Sequence, residues 1–216
     1  MTNISTPPQT PLKLHVGCGT NKLAGWVNID SIKSLAPDLV HDIVAPLPFG
    51  DLTADEVLAE DLLEHFDKYM RFLVFLEWAR VLKIGGIITV QVPNFKRLML
   101  KFFKFGYNNF IDYLFGENMW RSEFYIGHFG NHKWAYTAKT LMDFVKLFGI
   151  KPLTFENRGL NIRLTGEKKH HVTTAELDKI QIYAHANATG IGKASLPLGF
   201  VREKIKIYQN NLETND

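Results

Sequence analysis

The segment KLHVGCGTNKLAGWVNID, residues 13–30, constrains the fold more than any other part of the chain. A short apolar run enters Gly17-Cys18-Gly19, and a second apolar run follows and ends on Asp30. In open α/β sheets, ligands bind beyond the carboxyl ends of strands, and glycines there let backbone N–H groups approach a ligand closely. A carboxylate ending the second strand suits paired hydrogen bonds to a diol, because it offers two acceptors in one plane. A bound nucleoside is one reading of this pattern. A tight strand-to-helix turn with no ligand is the other.

At 216 residues the chain has room for one domain with elaborations, taking about 150 residues per domain. Apolar residues at 46% and charged residues at 22% are ordinary globular usage. Residues 1–11, with Pro7, Pro8 and Pro11, read as a mobile leader, and residues 12–216 as the single domain. Apolar runs of strand length alternate with helical patterns, so the expected class is α/β, a Rossmann-like, mostly parallel sheet with helices on both faces. Strands are expected at 12–16, 26–29, 39–43, 55–60 and 86–92. Between the last two, DKYMRFLVFLEWARVLK places Lys68, Arg71, Glu77 and Arg80 on one narrow face of a largely buried helix. Asp67 is its N-cap and Gly85-Gly86 the turn that follows. After Pro93 an insertion of different composition spans 94–136, and a helix then runs from Thr137 to a stop at Gly149. Two further strands are read at 150–157 and 177–185, one of them antiparallel. The second shows Ile180, Ile182 and Ala184 alternating with Gln181, Tyr183 and His185.

The spacing disfavours a dinucleotide. That fingerprint needs a third glycine where Lys22 stands and an acid about 20 residues further on, whereas Asp30 lies 11 residues past Gly19. A short Gly-x-Gly loop suits the amino-acid end of S-adenosylmethionine (SAM) instead. Residues 12–157 as a whole resemble class I SAM-dependent methyltransferases. VGCG resembles their first motif, WVNID their ribose-binding second strand, and VHDI their third strand. LPFGDLTADEVLAEDLLEHF resembles the segment around their fourth strand, and EWARVLKIGGIITVQVPN their helix, Gly-Gly turn and fifth strand. The resemblance implies a cofactor site at His15, Gly17, Cys18, Gly19, Asp30, Asp42, Ile43, Asp61 and Leu62. Asp30 would hold the ribose, and Asp42 and Ile43 would flank the adenine. His15 stands where the family usually carries an acid, a departure that leaves the methionine amino group to another partner. LHVGCG followed at once by GWVNID is similar, more narrowly, to a compact bacterial group associated with surface polysaccharide or glycolipid synthesis. A nicotinamide-dependent oxidoreductase and a non-catalytic SAM-fold module serving a partner enzyme are the competing readings.

Methyl transfer is mainly in-line positioning of a nucleophile, with a base only where the acceptor is a hydroxyl or a protonated amine. The acceptor, on this resemblance, is an oxygen or nitrogen of a small molecule or saccharide. His65, His128 and His132 are the candidate bases, and Glu64, Trp134 and Tyr136 candidate substrate contacts. Each has a structural alternative: Glu64-His65 capping the next helix, and HFGNHKWAYT supplying buried, hydrogen-bonded rings. Asp61, Glu64 and His65 also share the i, i+3, i+4 spacing that some metal-dependent RNA 2′-O-methyltransferases use, with another histidine supplied later in the chain, and such carboxylate and imidazole ligands could hold magnesium or manganese. Because Leu-Glu-His is common in metal-free relatives, no metal is expected.

Aromatic residues crowd into 95–129, and FKRLMLKFFKF adds Lys96, Arg97, Lys101 and Lys104 without an acid. A lid on the core, a basic aromatic wall for an anionic or glycan acceptor, and peripheral contact of 95–105 with anionic lipid compete as explanations. Nucleic acid ranks below these, since net charge is only +3. A single cysteine, Cys18, excludes an intrachain disulfide and any multi-thiolate metal site. With neither a signal peptide nor an apolar run of about 20 residues, a cytoplasmic location is expected.

Overall fold

The structure, a computed structural model, describes residues 10–102, 104, 114 and 131–186, the last six of these by their backbone alone. Most of the leader, most of the insertion, including His128, and residues 187–216 lie outside the described residues.

Seven strands form one sheet: β1 (Lys13–Val16), β2 (Val27–Asp30), β3 (Leu39–Val40), β4 (Ala54–Glu60), β5 (Leu82–Pro93), β6 (Ile150–Arg158) and β7 (Asn161–Lys168). Their order is β3-β2-β1-β4-β5-β7-β6. Neighbours from β3 to β5 pair in parallel, whereas β7 runs antiparallel to both β5 and β6. Helix α1 is Met70–Val81, α2 covers residues 95–102, α3 is Ala138–Lys146 and α4 is Thr174–Ala186. This is the expected Rossmann-like α/β architecture with its late antiparallel strand. Among the described residues no helix is long and apolar enough to cross a membrane.

The order places β1 between β2 and β4, so Val16 and the Gly-Cys-Gly turn leave the middle of the sheet at its carboxyl edge. Leu14, Val16, Ile29, Val57 and Ala59 are buried on one face and His15, Asn28 and Leu58 on the other, as strands covered on both faces require. Helix α1 is apolar nearly all round and buries Phe72, Val74, Phe75, Leu76, Trp78, Ala79 and Val81. The Phe75 ring lies 5.1 Å from Phe144 of α3 and 4.6 Å from Phe148, contacts that add about 0.5–1.5 kcal/mol each beyond area burial. Asp67 caps α1 as expected, its Oδ1 accepting from the amides of Tyr69 and Met70 at 2.8 and 2.9 Å. The charged stripe of α1 does not face solvent. Arg71 is 7% exposed, and Arg80 donates to the carbonyls of Phe49 and Leu47, fastening the loop before β4.

Three expectations change. The third strand stops at Val40 because Asp42 turns the chain, its Oδ1 accepting from Val44 N and its carbonyl from Ala45 N. Residues 177–185 belong to helix α4, not to a strand. The antiparallel strand is β7, which the sequence reading passes over. Helix α3 starts at the expected cap: Thr137 Oγ1 accepts from Thr140 N, and Thr140 Oγ1 accepts from Thr137 N.

Candidate active site

Beyond the carboxyl ends of β1 and β2 the chain cannot continue extended. Gly17 has φ +65° and Gly19 φ +53°, left-handed values that cost a residue with a Cβ. Cys18 N donates to Ile29 O at 3.0 Å, so the turn keeps one more rung of the ladder. Asp30, at the end of β2, closes it from the other side: Oδ2 accepts from Gly19 N and Oδ1 from Ile32 N, both at 2.9 Å. At the end of β4, Asp61 takes φ +49°, a left-handed turn that asparagine and aspartate tolerate better than other residues. That turn brings Leu62 against Gly17, where a Cβ on the glycine would stand 2.6 Å from Leu62 Cδ2.

A cleft of about 250 Å³ opens in front of these turns. Gly17, Gly19, Asp30, Asp42, Ile43 and Leu62 line it, as does His65. The structure therefore brings together most of the residues expected to hold a cofactor. It also adds Ser31, Ile32, Leu35 and Val44, which follow closely on Asp30 or Asp42 in the chain, and Phe66, Asp67, Met70 and Lys133 at the His65 end. Proximity to Asp30 and Asp42 in the chain is the signal that finds the first four. Lys133 is found only by the fold, since it lies near the far end of the insertion, remote in sequence from the rest of the cleft.

Three residues sit elsewhere. His15 is buried under the turn, Nδ1 3.3 Å from Asn28 Oδ1, and burial lowers its pKa. Cys18 is 3% exposed, with burial raising its thiol pKa. The Asp61 carboxylate accepts from Gln91 Nε2 at 3.0 Å and Asn161 Nδ2 at 2.8 Å, a brace to β5 and β7 and not part of the cleft wall.

The candidate substrate contacts separate. Tyr136 is wholly buried, its ring against Phe144 and its backbone bridged to Asn94, which makes it a core residue. Burial pushes its hydroxyl pKa up. Trp134 stacks on the Arg71 guanidinium, 4.0 Å from the ring centre, which accounts for its position without a ligand. Glu64 and His65 stay at the site, in a 3-10 turn at Leu63–His65. The Glu64 carbonyl accepts from Lys133 N and Trp134 N at 2.8 and 3.0 Å, and this delivers His132 beside them. The His65 and His132 rings meet edge to face, centroids 5.0 Å apart. Burial, with His132 adding to it, lowers the His65 pKa to about 4, so its imidazole is neutral at neutral pH. Burial drives the Glu64 carboxyl pKa well above the ordinary value.

No family model matches the sequence, and no curated protein does. Solved structures do match. A SAM-dependent methyltransferase from Methanosarcina mazei superposes with a TM-score of 0.52 at 19% identity, over 74% of this chain and 93% of that one. The fold is a methyltransferase fold. A Clostridium acetobutylicum SAM-dependent methyltransferase aligns over 74% of this chain and 85% of its own, at 13% identity and a TM-score of 0.52. A third methyltransferase, the 1,6-didemethyltoxoflavin N1-methyltransferase of Burkholderia thailandensis solved with S-adenosylhomocysteine, gives 0.50 at 12% identity, over 74% and 72%.

Proposed function

We propose that this chain transfers a methyl group from SAM to an oxygen or nitrogen of a small-molecule or saccharide acceptor. The observation that carries the reading is the cleft at the carboxyl edge of β1 and β2. There the glycine turn offers close backbone approach, and Asp30 and Asp42 line the same cleft as the apolar Ile43 and Leu62. Gly17 and Gly19 would cradle the methionine end, Asp30 the ribose, and Asp42 with Ile43 the adenine. The chain's part in catalysis is then mainly orientation, holding the methyl in line with the acceptor and excluding water. Lys133 and the His65–His132 pair mark the acceptor end of the cleft. The resemblance to enzymes of surface polysaccharide or glycolipid synthesis supports a saccharide acceptor, and contact of 95–105 with a lipid surface would fit the same class.

Calorimetry with S-adenosylhomocysteine tests the reading. Binding that weakens in Asp30→Ala is expected. No heat of binding, or an unchanged affinity in that variant, overturns the cofactor assignment. Transfer of a labelled methyl group to candidate acceptors then separates an enzyme from a silent SAM-binding module.

A further inference from the structure

We propose that Glu64, His65 and His132 form a binding site for a divalent transition metal of the zinc type. One ligand atom from each lies within 4.8 Å of the other two. Glu64 carries the argument. Its side chain is 1% exposed, yet among the described residues neither carboxylate oxygen has a hydrogen-bond partner. A buried carboxylate is kept in a fold when it is paired, hydrogen-bonded or bound to a cation, because an unmet one costs the full desolvation of the group. The nearest cationic candidate, His132 Nε2, stands 3.9 Å from Glu64 Oε1, too far for a hydrogen bond. Two ligands of a tetrahedral ion with bonds of about 2.1 Å lie about 3.4 Å apart, so a small side-chain rotation closes the site around an ion.

His65 gives the second indication. Its Nδ1 lies 3.2 Å from the Asn131 carbonyl oxygen. A carbonyl can only accept, so that nitrogen carries the proton and the lone pair is left on Nε2. A backbone carbonyl fixing the tautomer in this way is the usual outer support of a metal-bound histidine. Two imidazoles with one carboxylate suit zinc or cobalt, whereas magnesium and calcium take oxygen ligands. Of the four positions in the sequence pattern, Asp61 is turned away to Gln91 and Asn161, and His132, brought in by the Glu64 carbonyl, is the later histidine.

Three protein ligands leave a position open, and His65 lies on the cleft wall. The role of that position, though not the binding itself, rests on the methyl-transfer reading. It would receive the oxygen of a hydroxyl-bearing acceptor and lower its pKa. The hydroxyl proton passes to solvent, the oxygen pair forms the bond to the methyl carbon, and the carbon–sulfur pair stays on sulfur as a neutral thioether.

The test is titration of the chelator-treated full chain with zinc in a calorimeter, and with cobalt by visible absorption. One equivalent of zinc and the intense bands of tetrahedral cobalt are expected. Affinity should fall at least ~10- to 100-fold in His132→Ala and in Glu64→Gln, while a His170→Ala/His171→Ala control binds as the parent does. Thermal unfolding read alongside should show zinc raising the melting point of the parent but not of His132→Ala. His132→Gln replaces that variant should the alanine fail to fold. Absence of zinc binding, undiminished affinity in the His132 variant, or loss only in the control overturns the proposal. A chain that binds S-adenosylhomocysteine but not zinc overturns the metal site alone. A chain that binds zinc but not S-adenosylhomocysteine overturns the methyl-transfer reading alone.

Discussion

The backbone amide of Gly19 donates to Oδ2 of Asp30 across 2.9 Å, and the same carboxylate takes the Ile32 amide on its other oxygen. The acid that would hold a ribose is therefore also the residue that shapes the glycine turn. Loop and second strand are set in position before any ligand arrives, which lowers the ordering cost of binding.

Replacing Asp30 with asparagine separates these duties only in part. The amide keeps one oxygen for two backbone donors, and a hydrogen bond to a charged acceptor contributes about 1.5–3 kcal/mol. S-adenosylhomocysteine should bind roughly 10- to 100-fold more weakly to Asp30→Asn by calorimetry, with the far-ultraviolet circular dichroism unchanged.

The two glycines should respond differently to alanine. Each pays about 1–2 kcal/mol for a left-handed Cβ, but at Gly19 nothing lies within 4 Å of the added atom, whereas at Gly17 it meets Leu62. Gly17→Ala should shift the urea midpoint further than Gly19→Ala. In a double-mutant cycle, Leu62→Ala should recover part of the Gly17→Ala loss but none of the Gly19→Ala loss.

Lys168 is fully buried and donates to the carbonyls of Ala79 at 2.5 Å and Leu82 at 2.9 Å, at the end of α1. Burial lowers its pKa to about 8 from an ordinary 10.5. Between those values the unfolded chain binds the proton more strongly, so stability rises with pH through that window, by roughly 3 kcal/mol at most, and is flat below it. Urea titrations across the window should show the rise in the parent and a flat profile in Lys168→Met. A falling profile in the parent would contradict the assignment.

Trp134 should behave as a structural residue. Its ring covers the guanidinium of Arg71, a contact of up to about 2 kcal/mol when shielded from water. Trp134→Leu should lower stability by about 1–2 kcal/mol and leave the affinity for S-adenosylhomocysteine essentially unchanged.

The glycine-turn end of the cleft is legible in the sequence because glycines at forced left-handed positions and an acid at a strand end are local signals. Strand β7 is not legible. Its inward positions are Ile162, Leu164, Gly166 and Lys168. A glycine is needed at 166 because a Cβ there would lie 2.5 Å from Ile150 Cγ2, and the lysine is admitted by the carbonyls at the end of α1. Neither reads as a strand face. Helix α4 carries a local signal of its own at its start. Thr173 and Glu176 form a reciprocal cap, Thr173 Oγ1 accepting from Glu176 N while Glu176 Oε2 accepts from Thr173 N. That Thr-x-x-Glu pattern outweighs the alternation of Ile180 and Ile182. The Glu64, His65 and His132 cluster draws its last member from the far end of the insertion, and only the tertiary fold brings its parts into register.

Asn94 bridges to Tyr136, Phe95 N donates to the Tyr136 carbonyl, and Glu64 holds Lys133 and Trp134. Both ends of the insertion are thus clasped to the sheet independently of what lies between them. Closing a longer loop between fixed ends costs only about 0.6 kcal/mol per doubling of its length. A change of length between the two clasps therefore costs little in closure entropy, and inserting or removing residues there should leave the glycine turn and Asp30 in place.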